Sequence, residues 1–399
     1  MARYPRHLGL AALLSLAIAS ATPIQSAQAI RESTALSPAN VSEQLRVEAS
    51  RYREIAKRWR PIAQGGPLQA GDRNERVLQL RKLLELYGDY RGQPGPMPYP
   101  QKDALRFDSA LQSALESFQR RHGLTPTGVA DDKTLAALAI SPVERAKQMT
   151  MNADRWSRLT LPKDSRYVLV NIPDYRLQLV EEGQVKLEMK TVVGKYSSRT
   201  PNMRSRITSV VFNPTWTVPR SILITELLPK ARHNPAAMHR RGYRVVQYRS
   251  GNTSPITDES LARAAGGHAT LRQVSGQGNT LGKVKFVIPN KQAIFLHDTQ
   301  AQSLFSEQQR AFSHGCVRLQ QPEELAYSLL KPQGWDRTRV AQATTGNQPV
   351  NVPIKPAPRL YLVYMTAWID ADGRPQFRRD IYHRDSKELP VDLPLLTPR

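Results

Sequence analysis

Cysteine is almost absent from this chain. The 399 residues contain one, Cys316, so no internal disulfide can form and the fold must stand on its hydrophobic cores. Acidic residues are also scarce, 34 against 57 basic ones, which leaves a formal net charge of +23. A balance of this size implies an anionic partner, and nucleic acid, anionic lipid headgroups or a carboxylate-rich wall polymer all qualify. A solvated basic face that merely aids solubility is an equal reading. The basic residues are scattered, as at Arg51, Arg53, Lys57, Arg58 and Arg60, and neither zinc-finger spacing nor an aromatic RNA-binding signature accompanies them, so nucleic acid is not expected. No grouping of His, Cys, Asp and Glu has metal-ligand spacing, and neither a metal nor another cofactor is expected. Past the first 29 residues no uncharged apolar run approaches the roughly 20 residues that span a bilayer, so no stable membrane span is expected in the mature chain.

What is present begins with an export signal. Arg3 and Arg6 form a basic start, Leu8 to Ala19 an apolar core too short to cross a membrane, and Ala27-Gln28-Ala29 a small-x-small cleavage site. Cleavage there starts the mature chain near Ile30 and, by removing two arginines and no acid, lowers the charge to +21. In an oxidising compartment a lone thiol is open to mixed disulfides and over-oxidation, and Ala or Val could fill a core position instead, so Cys316 is expected to do chemistry. It stands in Ser313-His314-Gly315-Cys316-Val317-Arg318, nineteen residues after His297. That arrangement reads as a thiol nucleophile with its base. A cysteine of ordinary pKa, about 8.5, is only slightly ionised at neutral pH unless an imidazole takes its proton. The backbone N–H groups around Gly315 and Cys316 can form an oxyanion hole, and the absence of a side chain at Gly315 permits close approach.

The N-terminal third is helical in pattern. Over Ser42 to Trp59, Val41, Leu45, Ala49, Tyr52, Ala56 and Trp59 recur at three- and four-residue steps, which predicts a packed accessory helix. After a break at Pro61 to Pro67, Val77, Leu80, Leu83, Leu84 and Tyr87 fit one face of a helix that Gly88 ends. Gln93 to Pro100 reads as a loop, Asp108 as the cap of a helix carrying Leu111, Leu115, Phe118 and Gln119, and Asp131 to Leu138 as a third helix. Val77-x-x-Leu80 with Leu83 and Leu84, Ala114 to Phe118-Gln119 with Gly123-Leu124, and Thr127-Gly128-Val129 with Thr134-Leu135 and Leu138 together resemble the three-helix peptidoglycan-binding module of bacterial cell-wall proteins. These are mostly core and turn positions, so they identify a fold better than a binding activity.

From Arg166 the texture becomes alternating and β-branched. Strands are expected at Tyr167 to Ile172, Tyr175 to Val180, Lys186 to Val193, Arg206 to Phe212, Val284 to Ile288 and Ala293 to Leu296, with a hairpin turn at Glu182-Gly183. Asn171-Ile172-Pro173, Val193-Gly194-Lys195 with Thr200-Pro201, Phe212-Asn213-Pro214-x-Trp216, Gly278-Asn279-x-Leu281-Gly282, Leu296-His297-Asp298-Thr299 and the Ser313 to Leu319 motif follow in order. Together they resemble the catalytic domain of the L,D-transpeptidases, the YkuD type, and among these the larger Gram-negative members with a peptidoglycan-binding module; the resemblance continues into Tyr361 to Tyr382.

The resemblance implies an exported, periplasmic enzyme in which Cys316 cleaves a tetrapeptide stem between its third residue, a diamino acid, and the terminal D-Ala. The thioester then passes to an amine, giving a 3→3 cross-link when that amine belongs to another stem. Water as acceptor would make the enzyme an L,D-carboxypeptidase, and an envelope lipoprotein could be attached or released by the same thiol. A non-catalytic peptidoglycan-binding scaffold is the reading of another class. Stem peptides and glycan are the expected partners, and acylation by carbapenems is expected. The resemblance makes His297 the base and the Asp298 carbonyl its orienter. Gly315 contributes to the oxyanion hole, and His314 either lines the site or holds a neighbouring carbonyl. Arg318 clamps a stem carboxylate or braces the loop. Ser313, Asn279, Trp216 and Phe295 are the further substrate-binding candidates. Phe295 stands where relatives often have Tyr, and Ser275 where they often have Pro.

The expected fold class is therefore α+β, a small helical peptidoglycan-binding-like module joined to a β-rich YkuD-type domain with a lid-like insertion. The expected order is a signal peptide over 1–29, an N-terminal helical segment over 30–65, the module over 66–140 and a linker over 141–165. The catalytic domain follows over 166–334, its mostly helical or irregular lid over 221–272, and a C-terminal extension packs on the catalytic region over 335–399.

Overall fold

The computed structural model of the chain describes residues 33–34, 37–90, 104–162 and 165–385. The export signal expected over 1–29 and the loop expected over 93–100 lie outside the described residues, as do the last residues of the C-terminal segment.

Among the described residues the N-terminal part carries the helices α1 (Pro38–Ala56), α2 (Glu75–Tyr87), α3 (Ser109–Arg121), α4 (Asp132–Ala139) and α5 (Pro142–Ser157). Asn74, Asp108 and Asp131 each cap a helix by accepting backbone N–H groups of its first turn, and Gly88, at φ 78°, ends α2 in the left-handed region. Leu80, Leu84, Leu111, Leu115, Phe118 and Leu138 fill the bundle that these caps delimit. α5 replaces the linker expected over 141–165. It opens with a capping box between Ser141 and Glu144 and packs along α1, where the Ser42 hydroxyl donates to the Ala153 carbonyl at 2.8 Å. Its apolar stripe is thin because two buried positions are polar. Arg145 donates to Gln148 and to the Ala137 carbonyl, and Asn152 to the Thr366 hydroxyl.

The strands that follow are β2 (Tyr167–Asn171), β3 (Arg176–Glu181), β4 (Gln184–Gly194), β5 (Met203–Arg206), β6 (Ser209–Phe212), β7 (Trp216–Thr217), β8 (Tyr243–Gln247), β9 (Thr253–Ser254), β10 (Ala269–Gln273), β11 (Val284–Val287), β12 (Leu296–His297), β13 (Ala311–Ser313), β14 (Val317–Leu319), β15 (Val350–Pro353), β16 (Arg359–Val363), β17 (Ala367–Ile369) and β18 (Pro375–Phe377); β1 (Ser33–Thr34) pairs with β4. The main sheet runs β15-β6-β11-β12-β14-β4-β3-β2-β16-β5. Most pairs are antiparallel, but β12 with β14, β13 with β4 and β16 with β2 are parallel. The strand expected over Arg206 to Phe212 is two strands. At the break the Ile207 N–H bonds the Pro358 carbonyl and the Thr208 N–H the Val287 carbonyl, so the chain passes from beside β16 to beside β11. The segment from 335 onward is built into the sheet rather than laid against it, since β16 lies between β2 and β5.

The insertion between β6 and β11, expected to be mostly helical or irregular, carries helices and also a sheet. β7, β10, β8 and β9 form a second sheet, and Trp216, Leu223, Leu228, Tyr243, Leu261 and Leu271 give it a core of its own. Its first helical stretch runs from Arg220 to His233 and includes a π-helical turn at Leu223–Leu227.

The helical module shares a core with the main sheet: Tyr52, Phe118 and Trp156 belong to the same cluster as Tyr167, Tyr361 and Phe377. His122 stacks between Phe118 and Phe377, with ring centroids 3.8 and 5.1 Å away. Beside them Asp89, fully buried, pairs with Arg121 of the module and Arg374 of the β17–β18 hairpin.

Candidate active site

Strand register builds the site. Lys285 of β11 pairs with His297 of β12, and His297 with Arg318 of β14, so the three side chains form a row on one face of the sheet. Cys316 stands two residues before Arg318, immediately ahead of β14, and is half-buried.

His297 is buried, and its Nδ1 lies 2.5 Å from the Asp298 carbonyl. A proton on Nδ1 leaves Nε2 as the basic nitrogen. Burial, with the Arg318 and Lys285 cations beside it, holds the imidazole pKa down at about 3, against the opposing hydrogen bonds to the Asp298 and Leu281 carbonyls. Burial also pushes the Cys316 thiol up to about 11, although a hydrogen bond from the Phe295 backbone and the Lys285 and Arg318 charges pull it down. Both groups are therefore neutral at pH 7 in this state. Among the described residues the thiol's hydrogen bond goes to the Ala293 carbonyl at 3.7 Å, not to the imidazole. Contacts within a catalytic pair commonly tighten only once substrate is bound.

The loop carrying the thiol is fixed from several sides. The Ser313 hydroxyl donates to the Cys316 carbonyl at 2.6 Å and accepts the Gly315 N–H at 3.1 Å. Gly315 takes φ 112°, a conformation that favours glycine, and a β-carbon there would stand 3.1 Å from Ile294 Cδ1, which would have to give by a few tenths of an ångström. The Gly315 carbonyl accepts from the Thr200 hydroxyl at 2.8 Å. Thr200 is itself held by Tyr382, whose hydroxyl accepts the Thr200 N–H at 3.1 Å and donates to the Gly194 carbonyl at 2.6 Å. Tyr382 thus braces, through Thr200, the loop that carries Cys316.

Against this geometry stand the comparisons with known proteins. Residues 165–352 match the family model described as "L,D-transpeptidase catalytic domain" (YkuD). The chain contains a YkuD catalytic domain. Residues 73–138 match the model "Putative peptidoglycan binding domain", so a peptidoglycan-binding domain precedes the YkuD domain. A curated relative, the "Putative L,D-transpeptidase" of Haemophilus influenzae, is 34% identical over 239 residues, which are 60% of this chain and 48% of that protein. The chain therefore spans about half of that relative's length. Among solved structures, the L,D-transpeptidase of Xylanimonas cellulosilytica (residues 123–326) is 16% identical, with 76% of this chain and all of that one covered, at a TM-score of 0.24. An L,D-transpeptidase from Mycobacterium smegmatis is 12% identical over 50% of this chain and 58% of that one, at a TM-score of 0.25.

Within the YkuD domain the sequence candidates separate. His297, Asp298, Gly315, Cys316 and Arg318 come together. The Asp298 side chain serves the turn, accepting the Lys283 and Thr299 N–H groups at 2.8 and 2.7 Å, while its carbonyl faces His297. The Gly315 N–H, expected as an oxyanion donor, is occupied by Ser313, whereas the Cys316 N–H has no partner among the described residues. Ser313 is buried and staples its own loop, so it is a positioning residue rather than a substrate contact. Asn279 is likewise spent internally: its amide donates to the Val274 carbonyl and accepts the Leu281 N–H, which shapes the turn before β11. Trp216 is buried in the insertion core against Tyr243. Phe295 remains at the site, its ring centroid 5.5 Å from that of His297 and 4.2 Å from Lys285 Nζ. Ser275, in place of a proline, donates its hydroxyl to the Asn213 carbonyl at 2.6 Å. His233, His239 and His268 are exposed. Groups of three or more His, Cys, Asp or Glu able to hold a metal are absent among the described residues.

Two site residues escape a reading by motif. His314 Nε2 lies 2.5 Å from a carboxylate oxygen of Glu226 in the insertion, a contact across 88 residues that no local pattern announces. Lys285 does have a signal: between Val284 and Phe286, both buried, it takes the opposite face of β11.

Proposed function

We propose that the chain is an exported, periplasmic L,D-transpeptidase that forms 3→3 peptidoglycan cross-links. Cys316 gives its proton to Nε2 of His297 and attacks the carbonyl of the third stem residue. The tetrahedral intermediate's oxygen is held by the Cys316 N–H. As the intermediate collapses, the imidazolium protonates the departing amine, D-Ala leaves, and a thioester remains. An amine of a second stem then attacks that thioester, and Nε2 takes the proton it releases.

The observation that carries this reading is the placement of Cys316 beside the His297 row within a YkuD domain, with the imidazole oriented through Nδ1 by the Asp298 carbonyl. The Glu226 to His314 contact brings the insertion against the nucleophile loop, as suits a lid that limits water and favours an amine acceptor. The preceding domain and the basic charge suit a carboxylate-rich wall polymer, and a lipoprotein lysine is a further acceptor of the same chemistry.

The test is incubation of the protein and its Cys316→Ala form with purified disaccharide-tetrapeptide, with products read by mass spectrometry. A dimer lacking one D-Ala, absent with the variant, is expected. Tripeptide alone would make the enzyme a carboxypeptidase, and full function of Cys316→Ala in cells would make the chain a scaffold.

A further inference from the structure

Lys285 and Arg318 flank His297 in the same cross-strand row and share the sheet face of the nucleophile. Among the described residues neither cation has an acidic partner within ion-pair distance, although many other arginines of this chain do. Arg318 is further short of contacts: its Nε is buried without a hydrogen-bond partner, and Nη1 reaches only the Thr299 hydroxyl at 3.5 Å. Lys285 Nζ rests 4.2 Å from the centre of the Phe295 ring, while the backbone of Phe295 hydrogen-bonds the Cys316 sulfur. Two cations with incomplete partners, partly withdrawn from water, leave an electrostatic vacancy that an anion would fill.

The reaction supplies one at that distance. When the thiol attacks a peptide carbonyl, the leaving residue is joined to the attacked carbon through its nitrogen. Its own carboxyl carbon is three bonds away, of about 1.33, 1.46 and 1.52 Å, so it stands within roughly 4 Å of the reacting centre. A cation beside the sulfur is therefore beside that carboxylate. Donors whose next residue continues as a peptide or ends in an amide place a neutral group there instead.

We propose that Lys285, acting with Arg318, binds the free α-carboxylate of the residue displaced by Cys316 and thereby selects donors that end one residue past the cleaved bond. The inference rests on the proposed transpeptidase reading. Bidentate recognition falls to the Arg318 fork, and Lys285 acts as a point charge from the other side of His297.

The experiment compares two donors, disaccharide-tetrapeptide as the free acid and as its C-terminal carboxamide, on wild type, Lys285→Met and Lys285→Arg. The rate of acyl-enzyme formation at Cys316 is read by intact-protein mass spectrometry. Because both donors meet the same thiol, their ratio cancels any change in thiol reactivity or in the folded fraction. Wild type is expected to prefer the acid by roughly 10-fold or more, the effect of one charged contact. Lys285→Met should cut the ratio several-fold, leaving what the Arg318 fork alone supplies, and Lys285→Arg should keep most of it. An unchanged ratio in Lys285→Met overturns the inference while leaving the transpeptidase reading intact. Failure of wild type to be acylated by either donor overturns that reading, and this inference with it.

Discussion

His314 and Glu226, two residues ahead of the nucleophile and on the π-helical turn of the insertion, meet at 2.5 Å and tie the insertion to the Cys316 loop. Both side chains are about one-third exposed, so the tie is weak enough to open and close.

Replacing Glu226 with Gln should therefore loosen the insertion without unfolding it. Hydrogen exchange over Leu223 to Leu227 is expected to quicken by about two- to fivefold, in keeping with an exposed pair worth up to about 1 kcal/mol. Hydrolysis should gain on transfer in the product ratio. Unaltered exchange in that segment would show that the contact does not hold the insertion.

The thiol of the free protein should behave as a buried one. With Cys316 raised to about 11, alkylation by iodoacetamide should climb about tenfold per pH unit from pH 7 to pH 10. A plateau near pH 8.5 would contradict a burial-dominated thiol.

Acid should destabilise the fold before carboxylates titrate. His297 is held at about 3 and His122 well below its ordinary value, both chiefly by burial, whereas the same histidines in the unfolded chain take protons near pH 6.5. The unfolded state thus binds more protons below pH 6.5. The stability these neutral histidines provide is complete above that pH and is lost as pH falls toward the folded values. Melting temperature should drop steadily from pH 7 to pH 4, and His122→Leu, checked for folding at pH 7.5, should flatten that slope. An equal slope in the variant would remove His122 from the account.

Thr200 carries two buried hydrogen bonds through one hydroxyl, accepting the Gly194 N–H at 2.9 Å and donating to the Gly315 carbonyl at 2.8 Å. Thr200→Val should cost about 1–3 kcal/mol of stability by leaving those groups unpaired. At a temperature where it remains folded, kcat for acyl transfer should fall with little change in KM, and Thr200→Ser should restore it. A fall in stability alone, with kcat intact, would reduce Thr200 to a packing role.

Arg121→Met leaves the buried carboxylate of Asp89 with Arg374 as its remaining ion-pair partner. Because Arg374 still compensates that charge, the expected loss is about 1.5–3 kcal/mol, the worth of hydrogen bonds to a charged group, seen as a lower unfolding midpoint in urea. A midpoint within error of wild type would mean that the pair contributes nothing net.

Much of this architecture was legible in the residues because local chemistry fixed it. Asn74, Asp108 and Asp131 cap the helices they precede, and Glu182-Gly183, with φ 52° and 72°, turns the hairpin between β3 and β4. The short apolar runs of β2 and β4 lie in the main sheet. What could not be read was set by distant partners. The α5 helix hides among polar residues whose mates, such as Thr366 for Asn152, stand more than 200 positions away. The insertion's sheet stays hidden behind a mostly helical or irregular texture because its strands are short and pair only with one another. At the site, residue type pointed to Cys316 and His297. Asn279, Ser313 and Trp216, singled out by motif, prove to spend their polar groups or their bulk on the protein itself.

The position of β16 has a consequence for how the molecule comes into being. This strand, residues 359–363, lies between β2 and β5, and Tyr382 reaches back to Thr200 under the nucleophile loop. A chain folding from its N-terminus can form the early helices but cannot place β16 between β2 and β5, or brace the loop that carries Cys316, until residues 359–382 have joined it.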